Sequence, residues 1–249
     1  MDDKLKGIED IAKMIESPFD RALEDILVEY ENKNKENETV GKEALSEINL
    51  LEENYKLECK SSGEDDYVDP PSSDTDYIQA WHEYQSVSYF KETYNEEIMA
   101  MHEMQIIYSY KQIEIALKKF VFLLEPTKED RKLYNWDDIV KTLKRLGVRI
   151  EDALGYSSVN NLRQVNNDLK HSDKITEIVK KLKIKEFSGL DYFTPQSLAL
   201  FHSNFIKEKV VFLNSIAHSA GLSLGLPSQD LKIFKACSVY EEDMQDITF

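Results

Sequence analysis

Residues 77–125 read YIQAWHEYQSVSYFKETYNEEIMAMHEMQIIYSYKQIEIALKKFVFLLE and contain neither proline nor glycine. Since both residues break helices, this run of 49 residues predicts one very long helix, or two with a break near Tyr94 and Asn95. Apolar side chains are so dense in its second half that we expect that half to be buried. They are Ile106, Ile107, Tyr110, Ile113, Ile115, Leu117, Phe120, Val121 and Leu124.

Three helices are predicted before this run, over residues 3–60, from apolar residues at three- and four-residue spacing. The second begins at Ser17 and Pro18, which suit the N-cap and the first helical position. We expect the polar stretch 31–39 to separate it from the third helix.

Further helices are predicted after Pro126, each from a capping residue or an apolar stripe. The first runs from a cap at Asn135 to Gly147, and the second covers residues 150–154. The third runs from a cap at Ser157 or Ser158 to about His171, the fourth covers residues 174–183, and the fifth runs from Thr194-Pro195 to about Gly221. The predicted fold class is therefore all-α, an antiparallel helical bundle with an additional acidic N-terminal helical region.

The composition places the chain among globular proteins. It has 249 residues, of which 41% are hydrophobic and 31% charged, with only 8 Gly and 6 Pro, too few for a turn-rich β protein. No run of eighteen apolar residues indicates a membrane span, and no apolar segment near the N-terminus indicates a secretory signal. We expect a soluble, cytoplasmic protein.

The charge is unevenly distributed. The formal net charge is −16, most of it contributed by residues 1–78, whereas residues 128–185 are mildly basic. The predicted organisation is an acidic N-terminal helical region over 1–62, a linker over 63–76 rich in Gly, Pro, Ser and acids, a bundle over 77–224 and a C-terminal tail over 225–249. The acidic region either aids solubility or covers a basic surface.

Strong catalytic motifs are missing. The sequence has no phosphate-binding glycine loop, dinucleotide fingerprint, Gly-x-Ser-x-Gly, His-Glu-x-x-His or Cys-x-x-Cys. The five histidines are dispersed, and His202 and His218 lie sixteen residues apart on one predicted helix, too far to share an ion. We predict no metal and no cofactor.

The segment from Asn160 to Ser172 contains four asparagines, an unusual choice for a helix surface because Asn is a poor helix former. Arg163, Asn166, Asn167 and Lys170 recur at three- and four-residue steps, so they share one face, and His171 follows at the helix end. Such a row can bind phosphate and transfer a proton. The alternative is a polar helix–helix contact with His171 as a C-terminal helix cation.

The run Asn166-Asn167-Asp168-Leu169-Lys170-His171, after a long buried helix, resembles the signature of the HEPN superfamily. That resemblance implies an all-α bundle and a metal-independent ribonuclease of toxin-antitoxin, CRISPR or other anti-phage systems. The family motif is an Arg, four to six residues, then a His. Two such motifs meet across a dimer around the scissile phosphate, where the RNA 2′-hydroxyl is the nucleophile.

The chain departs from this pattern at one position. With four residues between, Asn166 occupies the family's Arg position, and seven residues separate the nearest arginine, Arg163, from His171. Either Arg163 reaches in from the preceding turn, or Lys170 supplies the cation, or the site is no longer catalytic. An Asn cannot replace the charged fork of an Arg on a phosphate.

Two functions follow as hypotheses. The first is an RNA-directed effector, a metal-independent endoribonuclease acting as a homodimer. Its candidate catalytic residues are His171 as general acid/base, Arg163 on the phosphate and Asn167 positioning His171 or the substrate, and its candidate substrate-binding residues are Asn166 and Lys170. The alternative is a catalytically inactive helical interaction or scaffold protein that binds a protein partner. A third, an aromatic ligand pocket near Tyr77 and Trp81, competes with simple helix packing of those rings.

Overall fold

The computed structural model describes residues 2–12, 18–62, 74–127, 133, 135–172 and 174–232. These ranges contain seven α-helices, two short 3₁₀ helices and no strand, so the all-α prediction is confirmed. The α-helices are α1 Asp2–Ala12, α2 Pro18–Ser62, α3 Thr75–Leu124, α4 Trp136–Arg145, α5 Tyr156–His171, α6 Glu177–Lys181 and α7 Pro195–Ser223. The 3₁₀ helices are Ile150–Asp152 and Lys185–Phe187.

The chain groups into two compact units, and the division falls within α3. One unit comprises Met1–Asp20 with His102–Phe249, and the other comprises Arg21–Met101. Of the predicted linker, residues 63–73 lie outside the described ranges. The carboxylate of Asp74 accepts from the backbone N–H groups of Asp76 and Tyr77, at 3.0 and 3.2 Å, and so caps the start of α3.

The smaller unit is an antiparallel helical hairpin. Contacts between α2 and the first half of α3 run in opposite directions along the two helices. They join Asn34 to Asn95, Gly41 to Val87, and Glu52 to Tyr77. Partly or fully buried residues recur along α2 at steps that alternate between four and three residues, which is the spacing of a coiled-coil seam. These are residues 23, 27, 30, 34, 37, 41, 44, 48, 51 and 55.

The predicted break over residues 31–39 is wrong, because α2 continues through it. The polar residues there belong to the seam. The side-chain amide of Asn34 donates to Asn95 Oδ1 at 2.8 Å, so the two amides pair within the hairpin instead of ending the helix. Polar residues at seam positions specify register in coiled coils at some cost in stability.

The core of the larger unit is built around the second half of α3. Ile106, Ile113, Leu117 and Phe120 are fully buried there, as the density of apolar residues predicted. Helices α1, α5 and α6 join the same unit, with α1 and α5 both packing on α7. Among the residues described, no helix is long and apolar enough to cross a membrane.

Most predicted helix ends are confirmed. The Asn135 side chain accepts from the Asp138 N–H at 2.9 Å, and Thr194 forms a capping box with Ser197 at the start of α7. Gly147, with a φ of 89°, follows the end of α4.

The predicted Ser157 or Ser158 cap is wrong, because Gly155 is the N-cap of α5. Its φ of 72° lets the chain turn sharply from the preceding loop into the helix. The predicted helix over 174–183 is shorter than expected, since only Glu177–Lys181 is helical. The predicted Ser17 cap and the tail residues from 233 onward lie outside the described ranges.

Candidate functional site

Helix α5 is amphipathic, and its burial orients the predicted polar row. Val159, Leu162 and Val165 are fully buried, whereas Leu169 is only partly covered. The helix therefore lies against the bundle along its first three turns, and its last turn is more open. The predicted site residues fall on both the buried and the open parts of this helix.

Arg163 is held in a specific environment on the buried part. Its guanidinium carbon lies 5.8 Å from the centre of the Trp136 ring, and its Nη2 donates to Asn160 Oδ1 at 3.3 Å. Arginine packs well on an indole face, so this contact fixes the side chain. The contact with Asn160 directs the guanidinium toward the start of α5, away from His171.

Asn166, which was predicted among the substrate-binding residues, is fully buried. Its side chain has no exposed surface, and neither its amide nitrogen nor its amide oxygen has a hydrogen-bond partner among the described residues. Such orphaned groups cost about 1–3 kcal/mol each. Asn166 thus faces the core of its own chain.

Lys170, Asn167 and His171 are exposed on the last turns of α5. The Lys170 ammonium lies 5.7 Å from the centre of the Tyr110 ring, and this contact positions it. Asn167 and His171 are separated by one helical turn and therefore stand on the same side of α5. The structure brings these three residues together at the helix end.

Arg163 does not join this group within one chain. The eight residues from Arg163 to His171 span about 12 Å along the helix axis, and the Arg163 side chain points the opposite way. Arg163 and His171 are therefore separated along α5, whereas Arg163 and Lys170 lie against the neighbouring rings of Trp136 and Tyr110.

Arg163 and Lys170 each lie against an aromatic ring of another helix. Tyr110 and Trp136 are both mostly buried, with ring centres 6.2 Å apart, and each carries one cation of α5. Burial raises the pKa of the Tyr110 hydroxyl, and the charge of Glu114 adds to this, although Arg163 opposes it. The hydroxyl therefore stays protonated at neutral pH.

Glu114 on α3 is itself part of a charged cluster. Burial alone would raise the pKa of its carboxyl, but the hydrogen bonds and charges of Lys118 and Lys111 outweigh that effect and lower it. Lys118 Nζ lies 2.8 Å from Glu114 Oε1, and Lys111 Nζ lies 3.3 Å from Oε2. Since both of these lysines form ion pairs with Glu114, they are less suited to bind a phosphate than Lys170.

Asp168 has a structural role that the sequence did not reveal. Its carboxylate accepts from the Thr176 N–H at 2.8 Å and from the Thr176 hydroxyl at 3.0 Å. Thr176 is the N-cap of α6 and has no capping bond of its own, so Asp168 satisfies the start of that helix from α5. The signal in the sequence for such a partner is the helix start at Thr176-Glu177, because the first backbone N–H groups of a helix need acceptors from elsewhere.

Replacing Asp168 with alanine should lower the free energy of unfolding by about 1.5–3 kcal/mol, because two charge-assisted hydrogen bonds in a buried setting are lost. Urea denaturation followed by circular dichroism measures this change. Asp191→Ala is the matched control. Its carboxylate also pairs with a neighbour, Lys180 at 2.7 Å, but is largely exposed, so we expect a clearly smaller loss. Equal losses in both variants would contradict the anchoring role of Asp168.

Beyond His171, two contacts of the backbone hold Lys174 in place. The Ser172 hydroxyl accepts from the Lys174 N–H at 3.0 Å, and Lys174 pairs through its backbone with Tyr192. A cavity of about 510 Å³ opens here, lined by Lys174, Ile175, Thr176, Glu177, Lys180, Asp191 and the exposed Tyr192. Its two lysines are matched by two carboxylates, and Lys180 pairs with both, with Asp191 at 2.7 Å and with Glu177 at 3.7 Å, so the lining has no net positive charge.

The remaining histidines do not assemble a metal site. His102 bonds with Gln105 at 2.9 Å, and His202 bonds with Ser109 at 3.0 Å in a buried contact between α3 and α7. The buried Lys209 donates to Gln112 farther along the same pair of helices. Within the described ranges, no group of three or more His, Cys, Asp or Glu residues is placed to hold a metal ion.

Comparison with known proteins adds no relative. No protein-family model matches the chain, and no curated protein or solved structure matches it.

Proposed function

We propose that this chain is a HEPN-like, RNA-directed effector that cleaves RNA without a metal ion, acting in anti-phage defence or as a toxin. The defence role follows from the family resemblance alone. The observation that carries the RNA-directed part is the exposed group of Asn167, Lys170 and His171 at the end of α5.

Each residue has a chemical task in this proposal. His171 transfers the proton between the RNA 2′-hydroxyl, the leaving oxygen and solvent, which an imidazole does well near neutral pH. Lys170, held over the Tyr110 ring, offers its ammonium to the charge that develops at phosphorus. Asn167 stands one turn before His171 and orients either the ring or the substrate.

The proposal includes a homodimer. Since Arg163 lies about 12 Å along α5 from His171, the arginine that completes a site would come from the α5 of a second copy. The Arg163 of each chain then belongs to the site whose His171 comes from the other chain. Engaging an RNA there requires the guanidinium to exchange its contact with Asn160 for a phosphate.

Cleavage of a fluorescent RNA by the full-length protein in the presence of EDTA tests the proposal. We expect cleavage of the RNA and none of the same strand carrying 2′-deoxy sugars, because the 2′-hydroxyl is the nucleophile. Cleavage of both strands, or cleavage abolished by EDTA, would overturn the mechanism. Binding of the RNA without cleavage, by folded dimeric protein, would contradict the cleavage mechanism and support only the RNA-directed role.

A second function is favoured by a specific observation. Arg163 is engaged by Trp136 and Asn160, and Asn166 is buried, so the family's phosphate-binding position is not presented at the surface. This arrangement supports a bundle that has lost catalysis and holds a protein partner. Absence of both RNA binding and cleavage, with the protein folded, favours this alternative.

A further inference from the structure

A second cavity lies between α5, the chain over residues 182–186 and α7. Its volume is about 360 Å³, within the range of small-ligand sites, which begins near 300 Å³. Asn161 of α5 lines it, nine residues before Lys170. Nine residues are two and a half helical turns, so Asn161 and Lys170 project from opposite sides of α5, and this cavity is separate from the site at His171.

The cavity has three chemically different parts. Phe201 and Phe205 of α7, both mostly buried, contribute an apolar surface that suits a flat ring. Lys183 and Lys185 lie at the exposed rim, and neither forms an ion pair within the described part of the chain. They are free to bind an anionic group.

The polar interior contains an acceptor and an uncommitted amide. Glu208 is partly buried and accepts one hydrogen bond, from the Ser158 hydroxyl at 3.3 Å, which leaves most of its acceptor capacity unused. Asn161 makes no hydrogen bond to the described residues. The other carboxylate of the lining, Glu186, already accepts from Asn204 at 2.6 Å.

From these groups we infer that the cavity binds a guanine nucleotide. A carboxylate that accepts two hydrogen bonds needs two neighbouring donors, and guanine alone among the RNA bases presents them on its pairing edge, as its ring N–H and its exocyclic amine. The Asn161 amide donates to the guanine O6, the Phe side chains cover the ring, and Lys183 and Lys185 bind the phosphate.

The same chemistry has two sources, a free guanine nucleotide and a guanosine within an RNA strand. The inference does not rest on cleavage by His171, because Asn167, Lys170 and His171 are not among the residues that line this cavity. If the strand is the source, the cavity would capture a guanosine while the strand passes around the helix.

Isothermal titration calorimetry on the full-length protein tests this with GMP, UMP, and the oligonucleotides UUGUU and UUUUU. We expect GMP or UUGUU to bind at least tenfold more tightly than its uracil counterpart, and Glu208→Gln to remove that preference, since a Gln amide offers a donor where guanine needs an acceptor. Preference for GMP identifies the free nucleotide as the source, and preference for UUGUU alone identifies the strand.

A control variant makes the result specific. Glu151→Gln, an exposed carboxylate of the 3₁₀ helix Ile150–Asp152 outside this cavity, should leave the affinity unchanged. Equal affinity for guanine and uracil ligands, no binding of either ligand class by folded protein, or a preference that survives Glu208→Gln would overturn the inference.

Discussion

Replacing His171 with alanine should reduce the rate of RNA cleavage by about 10²–10⁴-fold, the usual contribution of a general acid or base. The imidazole is the exposed group at the end of α5 that can both accept and donate a proton near neutral pH. Lys170 and Asn167 remain in the variant, so substrate affinity should change much less than the rate. Single-turnover cleavage of a labelled RNA, with binding measured separately, resolves the two effects.

His82→Ala is the matched control for this experiment. His82 is also exposed on a helix, but it lies on the first half of α3, in the unit formed by residues 21–101. We expect wild-type cleavage from this variant. If His171→Ala cleaves as fast as His82→Ala, His171 has no catalytic role and the proposed mechanism is wrong.

In the proposed dimer, Arg163→Ala and His171→Ala chains should complement each other. Each composite site takes its arginine from one chain and its histidine from the other. Mixing Arg163→Ala with His171→Ala protein and allowing the chains to exchange should therefore restore about a quarter of the wild-type activity, since half of the dimers are mixed and each has one intact site. Activity no greater than that of the separate variants would place Arg163 outside the site.

Replacing Gly155 with alanine should lower the free energy of unfolding by about 3 kcal/mol, from left-handed strain and steric overlap together. Gly155 has a φ of 72°, and a Cβ atom there would lie 2.8 Å from the backbone oxygen of Glu208 on α7. Neither backbone can yield without moving α5 away from α7. Urea denaturation measures the loss.

Gly189→Ala separates the two causes. Gly189 has a similar φ of 78°, but a Cβ atom there would meet nothing within 4 Å. Its substitution should cost only the strain, about 1 kcal/mol. Equal losses in the two variants would mean that the approach of α5 to α7 tolerates a methyl group.

Among the predicted elements, those with strong local signals are confirmed. Asn135 and Thr194 cap helices because their side chains bond backbone groups three residues away, an interaction contained within one short segment. The long helix over 77–125 follows from the lack of helix breakers. The predicted break over residues 31–39 is wrong because a polar stretch does not by itself end a helix, and Asn34 and Asn37 lie at the four- and three-residue steps of the α2 seam.

The candidate site shows the same division between local and distant causes. Helical spacing alone places Arg163, Asn166, Asn167 and Lys170 near one another on α5. It does not indicate that Asn166 faces the core, because an asparagine is ordinarily a surface residue. Nor does it indicate that Asp168 anchors Thr176, since that bond depends on where the chain returns after the helix.

The sequence by itself determined the all-α class, the long helix, several helix ends and the polar row that ends in His171. These follow from backbone preferences and spacing, which act within a few residues. Only the tertiary structure decided which members of that row are exposed and where Arg163 points. The physical reason is that burial and cation–ring contacts depend on Trp136 and Tyr110, which reach α5 from other helices of the bundle.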